Sequence, residues 1–115
     1  MATTKNLKTN LNITSNKNPR FKDKNAYLLW KGEVVLKYQK VKKAGYKKLH
    51  SVINAVNLND LKQIPGNRFE ELKGKKDYYS IRINDQYRLI FKWDKKGANY
   101  AEEIEINPHN KRYGK

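Results

Sequence analysis

The pattern of hydrophobic positions divides the chain into a polar start and a longer segment that can form a core. Residues 1–19 are poor in apolar side chains and rich in Asn, Thr and Lys, which predicts a flexible basic tail. From Arg20 onward the sequence RFKDKNAYLLWKGE adds aromatic and aliphatic side chains, enough for a short strand and one or two helical turns. We therefore expect residues 20–115 to form a single folded domain.

The clearest predicted helix covers residues 34–56, because apolar positions there recur every three or four residues. The positions that would share its apolar face are Val34, Tyr38, Val41, Gly45, Leu49, Val52 and Val56. Four lysines fall on its other side, either as a solvated face or as a surface that follows phosphates: Lys37, Lys40, Lys43 and Lys47. A glycine inside a helix costs about 1 kcal/mol relative to alanine. Gly45 therefore predicts either a close crossing with another element or the end of a helical segment.

The period then changes from 3.6 to 2 in the second half of the chain. Pro65 and Gly66 fit the middle of a type II turn. After that turn, four segments have the alternation of β-strands: residues 68–74, 77–84, 86–93 and 99–106. Helices followed by an antiparallel meander predict an α+β domain.

The hairpin SIRINDQYRLIF has a register that its own apolar residues determine. Both apolar sets can face one core only if the loop has an odd number of residues or contains a bulge. A three-residue loop, Asn84–Gln86, satisfies this, and Asn or Asp tolerates the left-handed conformation that such loops use. In that register Ile81 lies opposite Leu89, and Arg82 lies opposite Arg88 on the other face of the sheet. Like charges that face each other destabilise an antiparallel pair by up to about 1 kcal/mol.

Two explanations for this arginine pair remain open from the pattern. In the first, Glu103 or Glu105 of the last strand lies beside Arg88 and neutralises it. In the second, Arg82 and Arg88 form a fork for an anion, because guanidinium donors suit phosphate oxygens. Tyr78 is predicted to share this face, where it either stacks on an RNA base or packs under the neighbouring loop.

Charge narrows the class of partner. The 115 residues contain 26 Lys and Arg against 11 Asp and Glu, a formal net charge of +15. Thirteen of these cations, but only two acids, lie in residues 1–50. The expected partner is a polyanion such as nucleic acid. There is no cysteine and no apolar run approaching a membrane span of about 18 residues, so we expect a cytoplasmic protein with no membrane partner.

Much of the chain resembles a known family of bacterial toxins. LNDLKQIPGNRFEELKGKKDYYSIRINDQYRLIFKW is similar to the HigB (host inhibition of growth) toxins of the RelE superfamily, and the match runs roughly from residue 20 to 109. Its most specific parts are PGNRFEELKG and YYSIRINDQYRLIFKW. The resemblance implies a compact α+β domain, with two N-terminal helices packed on an antiparallel sheet of about four strands. It also implies ribosome-dependent endonucleolytic cleavage of mRNA, restrained by a helix-turn-helix antitoxin, HigA.

Cleavage of RNA without a metal needs a group that accepts the 2′-hydroxyl proton, one that protonates the leaving oxygen, and positive charge beside the phosphate. Only His50 and His109 have an unperturbed pKa near neutrality. His50 lies in the predicted helix and is expected to be structural. His109 is the counterpart of the family histidine and is the candidate general acid or base, although Asn107 and Pro108 replace the usual residues before it.

Four basic residues are candidates to supply the positive charge beside the phosphate or to bind the RNA. Arg82 and Arg88 remain protonated and are suited to orient and stabilise a phosphate. Lys73, in the LKG that matches the family, is a candidate for the same task, and Arg68 is a candidate for RNA binding. We expect no metal site and no cofactor, because no third ligand accompanies the two carboxylates on the last strand.

Three functions are compatible with these features. The principal expectation is a toxin that cleaves mRNA on the ribosome and is neutralised by a HigA-like antitoxin. The alternative is a basic RNA- or ribosome-binding module that has the same fold without the chemistry. A third is DNA binding that occurs only through the antitoxin. Phosphate attraction by itself does not distinguish them.

Overall fold

The structure is a computed structural model, and it describes residues 20–94 and 100–108. The predicted tail, residues 1–19, lies outside the described residues, so the proposed domain boundary stays a prediction. In chain order the elements are α1 (Lys24–Trp30), a 3₁₀ segment (Leu36–Val41), α2 (Lys42–Asn54), α3 (Leu58–Lys62), a 3₁₀ turn (Pro65–Asn67), β1 (Glu70–Glu71), β2 (Tyr78–Arg82), β3 (Tyr87–Trp93) and β4 (Ala101–Pro108).

The four strands form one antiparallel sheet in the order β1-β2-β3-β4. The helices cover one face of this sheet, and the core between them is a single cluster of apolar side chains. Its largest fully buried members include Trp93, Tyr38, Phe91, Leu29 and Leu49. The predicted α+β architecture, with helices packed on a four-stranded antiparallel sheet, is confirmed. None of the described helices is long and apolar enough to cross a bilayer.

Helix α1 is tied at its start to the far edge of the sheet. Asp23 caps it by accepting a hydrogen bond from the backbone N–H of Asn25 at 2.9 Å. The other carboxylate oxygen of Asp23 accepts from the N–H of Ile106 in β4 at 3.2 Å. Just before the helix, Phe21 forms a parallel bridge with Ile104 of the same strand. One side chain thus orders the helix and joins it to β4.

The predicted single helix over residues 34–56 is wrong in its extent. The region divides into the 3₁₀ segment Leu36–Val41 and α2, with non-helical angles at Tyr38 (φ −112°, ψ 19°). Val34 and Val56 are 68% and 69% exposed, so the apolar face is shorter than predicted. Val35, which has extended backbone, is buried in place of Val34, because the chain approaches the core as a strand-like segment rather than as helix.

Gly45 marks a close crossing of α1 and α2. A Cβ atom at this position would lie 2.8 Å from the Cδ2 atom of Leu29 in α1. Leu29 is itself 1% exposed and cannot move into solvent. Of the two explanations for this glycine, the close crossing is therefore the one that the structure confirms.

The predicted type II turn at Pro65 and Gly66 is also wrong. These residues begin a 3₁₀ turn, and Gly66 does not have a positive φ. The left-handed residue is Arg68 (φ 45°, ψ 55°), which follows the turn. Proline fits the first position of a helical turn, since its fixed φ suits helix and its missing N–H is not needed there. The left-handed conformation at Arg68 then redirects the chain into β1.

The hairpin register agrees with the prediction. Ile81 pairs with Leu89, and Arg82 pairs with Arg88. The loop closes differently, however, because no residue of Asn84–Gln86 has a positive φ. Instead the Asn84 side-chain oxygen accepts hydrogen bonds from the N–H groups of Gln86 (2.9 Å) and Tyr87 (2.8 Å). An Asx turn thus replaces the expected left-handed residue.

Candidate functional site

Arg82 and Arg88 lie beside each other on the sheet face away from the core, at the end of the β2–β3 hairpin. Their exposure differs: 33% of the Arg82 side chain is exposed, but only 13% of the Arg88 side chain. Arg88 is therefore partly covered by the protein, and Arg82 extends toward solvent. The register of β2 and β3 therefore brings two guanidinium groups to the same face of the sheet.

The guanidinium of Arg88 crosses β2 toward the sheet edge and is held from one side. Its Nε donates to Oγ of Ser80 at 2.9 Å, and its Nη2 donates to the carbonyl of Arg68 at 2.6 Å and to the carbonyl of Ser80 at 3.3 Å. A guanidinium has five N–H donors. Within the described part of the chain, Nη1 makes no hydrogen bond, so two of those donors are available to a ligand.

The charges around Arg88 are mostly positive. Burial lowers the pKa of its guanidinium, the Glu70 carboxylate opposes that shift, and the positive charges of Arg82 and Arg68 add to it. Glu70 is 3.9 Å from Nη2, and 63% of its side chain is exposed. A single exposed carboxylate at that distance offsets only part of the repulsion among three arginines.

The carboxylates expected to neutralise Arg88 are used elsewhere, so that explanation is wrong. Glu105 pairs with Lys22 at 3.3 Å and accepts a hydrogen bond from Asn107 at 2.6 Å. Glu103 accepts from the hydroxyl of Tyr78 at 2.7 Å. The residue of β4 directly opposite Arg88 is the neutral Asn107.

Arg82 is paired at the tip of the hairpin. Its Nη2 forms an ion pair with Asp85, whose side chain is 99% exposed. Exposed pairs of this kind are worth about 0–1 kcal/mol. A phosphate can therefore replace Asp85 at little cost.

Sequence analysis did not identify two residues that lie close to Arg68, namely Lys48 and Asn67. The ammonium of Lys48, in α2, donates to the side-chain oxygen of Asn67, which is fully buried. Burial lowers the pKa of Lys48, and the positive charges of Lys47 and Arg82 lower it further. The sequence contained no signal that separates this asparagine from an ordinary turn residue. The alternation of β2 puts Ser80 on the same face as Arg82, but it does not predict the hydrogen bond of Ser80 to Arg88.

Tyr78 lies on the predicted face and is already engaged. Its hydroxyl donates to Glu103, and the ammonium of Lys75, in the preceding loop, is 4.3 Å from the ring centroid. Burial first, then the hydrogen bond and the negative charge of Glu103, raise the pKa of Tyr78 to about 12. The arrangement fits the packing alternative, and a base that stacks on the face of the ring covered by Lys75 must displace that ammonium.

The structure does not bring Lys73 to the arginine pair. Lys73 is exposed in the turn between β1 and β2, and the neighbouring Leu72 N–H donates to the carbonyl of Tyr78, the first residue of β2. Arg82 is the last residue of that strand. A five-residue strand spans about 13 Å, so Lys73 and Arg82 belong to opposite ends of the sheet.

The four lysines predicted to bind RNA are all exposed on the helical side of the molecule: Lys37, Lys40, Lys43 and Lys47. Two of them, Lys40 and Lys43, border an open cavity of about 610 Å³ that Leu29 and Tyr46 also line. Lys47 lies close enough to Lys48 for its positive charge to lower the pKa of Lys48, as the charge of Arg82 also does. The other three form a separate basic surface.

His50 lies in an aromatic cluster between α1 and α2. His50 stacks against Tyr46 and Trp30, with ring centroids 4.4 and 5.7 Å away, and its Nε2 is 3.0 Å from the Trp30 carbonyl oxygen. These contacts fit a structural histidine. His109 lies outside the described residues, and the residue before it, Pro108, pairs with Tyr87.

Metal ligation has no support among residues 20–94 and 100–108, where no three His, Asp or Glu side chains come together in a way that could hold an ion. The positive charge in the described site comes from guanidinium and ammonium groups. Its chemistry is therefore that of anion binding.

Comparisons with known proteins agree with this geometry. A family model described as "RelE-like toxin of type II toxin-antitoxin system HigB" matches residues 19–109. Toxin HigB-1 of Vibrio cholerae is 48% identical over 54 residues, which are 46% of this chain and 57% of that protein. An uncharacterized protein of Haemophilus influenzae is 38% identical over 65 residues, which are 56% of this chain and 61% of that protein.

The chain thus matches less than two thirds of the length of either relative. The family model, by contrast, covers well over half of the chain, and its range includes α1, α2 and all four strands. The chain therefore belongs to the HigB-like family of RelE-like toxins of type II toxin–antitoxin systems.

Proposed function

We propose that the protein is a metal-independent endoribonuclease that cleaves mRNA on the ribosome and thereby inhibits translation and growth. The observation that carries this proposal is the pairing of Arg82 with Arg88 on the open face of the sheet, with Arg68 beside them. Three arginines are accompanied by two exposed carboxylates, Asp85 and Glu70, and the positive charge that remains favours a phosphate group.

Arg88 is the residue best prepared for this task. Ser80 and the Arg68 carbonyl hold its Nε and Nη2, so the plane of the guanidinium is set before RNA arrives. Its Nη1 donors are left for phosphate oxygens. A donor that is already oriented loses little entropy on binding and favours the charge that develops in the transition state.

The proposed reaction is an internal displacement at phosphorus. The 2′-oxygen of a nucleotide loses its proton and bonds to the adjacent phosphorus, the bond from phosphorus to the 5′-oxygen breaks, and that oxygen takes up a proton. Arg82 and Arg88 stabilise the extra negative charge on the phosphate oxygens, and His109 acts as the general acid or base. Lys73, which lies at the other end of β2 from Arg82, is a candidate to bind a different phosphate of the same RNA.

The remaining basic residues are proposed to bind RNA outside the scissile phosphate. Arg68 lies next to the arginine pair, and Tyr78 offers an aromatic ring on the same face. The exposed lysines of the helical side would contact messenger or ribosomal RNA through phosphates: Lys37, Lys40, Lys43 and Lys47.

The family also suggests the partners. We infer a HigA-like helix-turn-helix antitoxin that neutralises the toxin, and contact with DNA only through that antitoxin. The site of action would be the cytoplasm, where ribosomes and mRNA are found.

One observation favours a second function, a non-catalytic RNA- or ribosome-binding module. Both arginines already have protein partners, since Arg82 pairs with Asp85 and Arg88 donates three hydrogen bonds. A surface of this kind can bind phosphates without cleaving them.

Induction in cells without antitoxin separates the two functions. The variants are wild type, Arg88→Ala, His109→Ala and, as a control for loss of one positive charge, Lys31→Ala at the end of α1. New mRNA ends are mapped by sequencing, and growth is followed in parallel. We expect wild type and Lys31→Ala to stop growth and to produce new ends within translated messages, and Arg88→Ala to do neither.

Three results would contradict the nuclease or the roles assigned to its residues. Growth arrest by wild type without new mRNA ends would support the binding module and contradict the nuclease. Cleavage by His109→Ala at the wild-type rate would remove His109 from the proton-transfer role, and cleavage by Arg88→Ala would remove the arginine from catalysis.

A further inference from the structure

Asn67 is an unusual residue for this chain, because it is a polar side chain with no exposed surface. Burying an amide is costly unless its hydrogen bonds are made. Here Nδ2 donates to the carbonyl of Leu61 at 3.0 Å, and Oδ1 accepts from the ammonium of Lys48. The amide thus joins α3, the 3₁₀ turn and α2 at one point.

The position of Asn67 also affects Arg88. Asn67 is the last residue of the 3₁₀ turn, and the residue that follows it, Arg68, takes the left-handed conformation. That conformation directs the Arg68 carbonyl to Nη2 of Arg88, at 2.6 Å. The buried amide therefore fixes both an ammonium group and the carbonyl that orients the guanidinium.

Lys48 is a cation that the fold holds without a matching acid. Its hydrogen-bond partner is a neutral amide, and no carboxylate forms an ion pair with it among the described residues. The neighbouring charges that act on it, Lys47 and Arg82, are both positive. A purely structural link between α2 and the turn would not require a charge at this site, since a neutral donor could bond to the same amide.

We infer that Lys48 is a further phosphate-binding residue of the RNA site, and that Asn67 is the positioning residue that holds its ammonium on the side of the site where Arg82 lies. The inference rests on the proposed function for its substrate class, a phosphate of single-stranded RNA. The positive charge of Arg82 acts on both Lys48 and Arg88, and a phosphate bound near Arg82 would relieve the repulsion in both pairs.

The test is the salt dependence of binding to a fluorescently labelled single-stranded RNA oligonucleotide, measured by anisotropy with the full chain. Each phosphate contact to single-stranded nucleic acid contributes about 0.7 to the slope of log K against log salt concentration. We expect Lys48→Gln to weaken binding and to reduce the slope by about 0.7. Lys48→Arg should retain the wild-type slope, because the charge remains.

Controls separate a local contact from a general loss of charge. Lys31→Gln makes the same change of charge at the end of α1, outside the proposed RNA-binding residues, and should leave the slope unchanged. Asn67→Asp places a carboxylate next to Lys48 and should reduce the slope although the lysine is still present. A thermal melt of each variant shows whether it is folded.

A Lys48→Gln variant that is folded and retains the wild-type slope would overturn the inference, as would an equal decrease for Lys31→Gln. Absence of RNA binding by the wild type would overturn it as well. Failure of the proposed function looks different: RNA binding would depend on Lys48 as expected, while wild type produces no new mRNA ends in cells.

Discussion

At the residue scale, the arginine face depends on small partners that a sequence does not identify. The alternation of the hairpin predicts that Arg82 and Arg88 share a face, because each apolar side chain that enters the core turns its neighbours outward. It does not predict which acceptors hold each guanidinium. The Arg68 carbonyl and Asn67 belong to a turn outside the hairpin, so the alternation of the hairpin gives no information about them. Ser80 lies in the hairpin, but the alternation does not identify it as the partner of Arg88.

Ser80→Ala tests whether its hydroxyl holds Arg88. Ser80 is 1% exposed, so the substitution leaves the Nε donor without its partner in a covered position. A hydrogen bond to a charged group contributes about 1.5–3 kcal/mol. We expect the free energy of unfolding in urea to decrease by an amount of that order.

The matched measurement repeats Ser80→Ala in the Arg88→Ala background, where the donor is absent. The loss should then be smaller by about 1 kcal/mol or more, as is usual for residues in contact. Equal losses in both backgrounds would show that the hydroxyl stabilises the fold independently of Arg88.

Tyr78→Phe tests the hydroxyl bond to Glu103 through pH. The pKa of Tyr78 is raised to about 12 from an unfolded value near 10, so the protonated phenol is the form that the fold favours. Its contribution to stability is complete below pH 10 and decreases as the pH rises toward 12.

Urea unfolding of wild type and Tyr78→Phe at pH 8, 10 and 11 measures this effect. The stability advantage of wild type over the variant should become smaller between pH 10 and 11. If the difference between the two proteins is constant over that range, the phenol is not held by Glu103 in solution.

At the element scale, the period of the apolar positions predicted most of the fold. The two-residue alternation located β2, β3 and β4, whose registers follow from which residues are buried. Predictions were wrong where two local preferences compete. The segment before α2 has helical spacing, but Val34 and Val35 favour extended backbone, and the helix accordingly starts later at Lys42.

Gly45→Ala weighs helix propensity against the crossing of α1 and α2. Alanine would add up to about 1 kcal/mol in propensity. Its Cβ would lie 2.8 Å from Cδ2 of the buried Leu29, and overpacking of this kind costs about 1–3 kcal/mol. We expect a net loss of about 1 kcal/mol in the free energy of unfolding.

Leu29→Val provides the matched background, because it shortens the side chain that the new methyl group would meet. In that background Gly45→Ala should be neutral or stabilising. A stabilising Gly45→Ala in the wild-type background would contradict the close crossing.

At the scale of the whole molecule, the charge is arranged on two sides. The helical side carries a broad set of exposed lysines, and the opposite sheet face carries the smaller group of Arg68, Arg82 and Arg88. Net charge alone predicted a polyanionic partner, but it could not locate the site. The hairpin register indicates where the proposed site lies, because the packing of the core decides which cations share a face.

The most direct test of the central claim uses purified full-length protein with ribosomes translating a defined mRNA. We predict cleavage within the translated region, leaving a 2′,3′-cyclic phosphate on the upstream fragment and a 5′-hydroxyl on the downstream one. Arg88→Ala should be slower by about 100-fold or more, the usual effect of removing a charge-stabilising donor, while Lys31→Ala cleaves normally. Intact mRNA with wild-type protein, or equal cleavage by Arg88→Ala, would contradict the account.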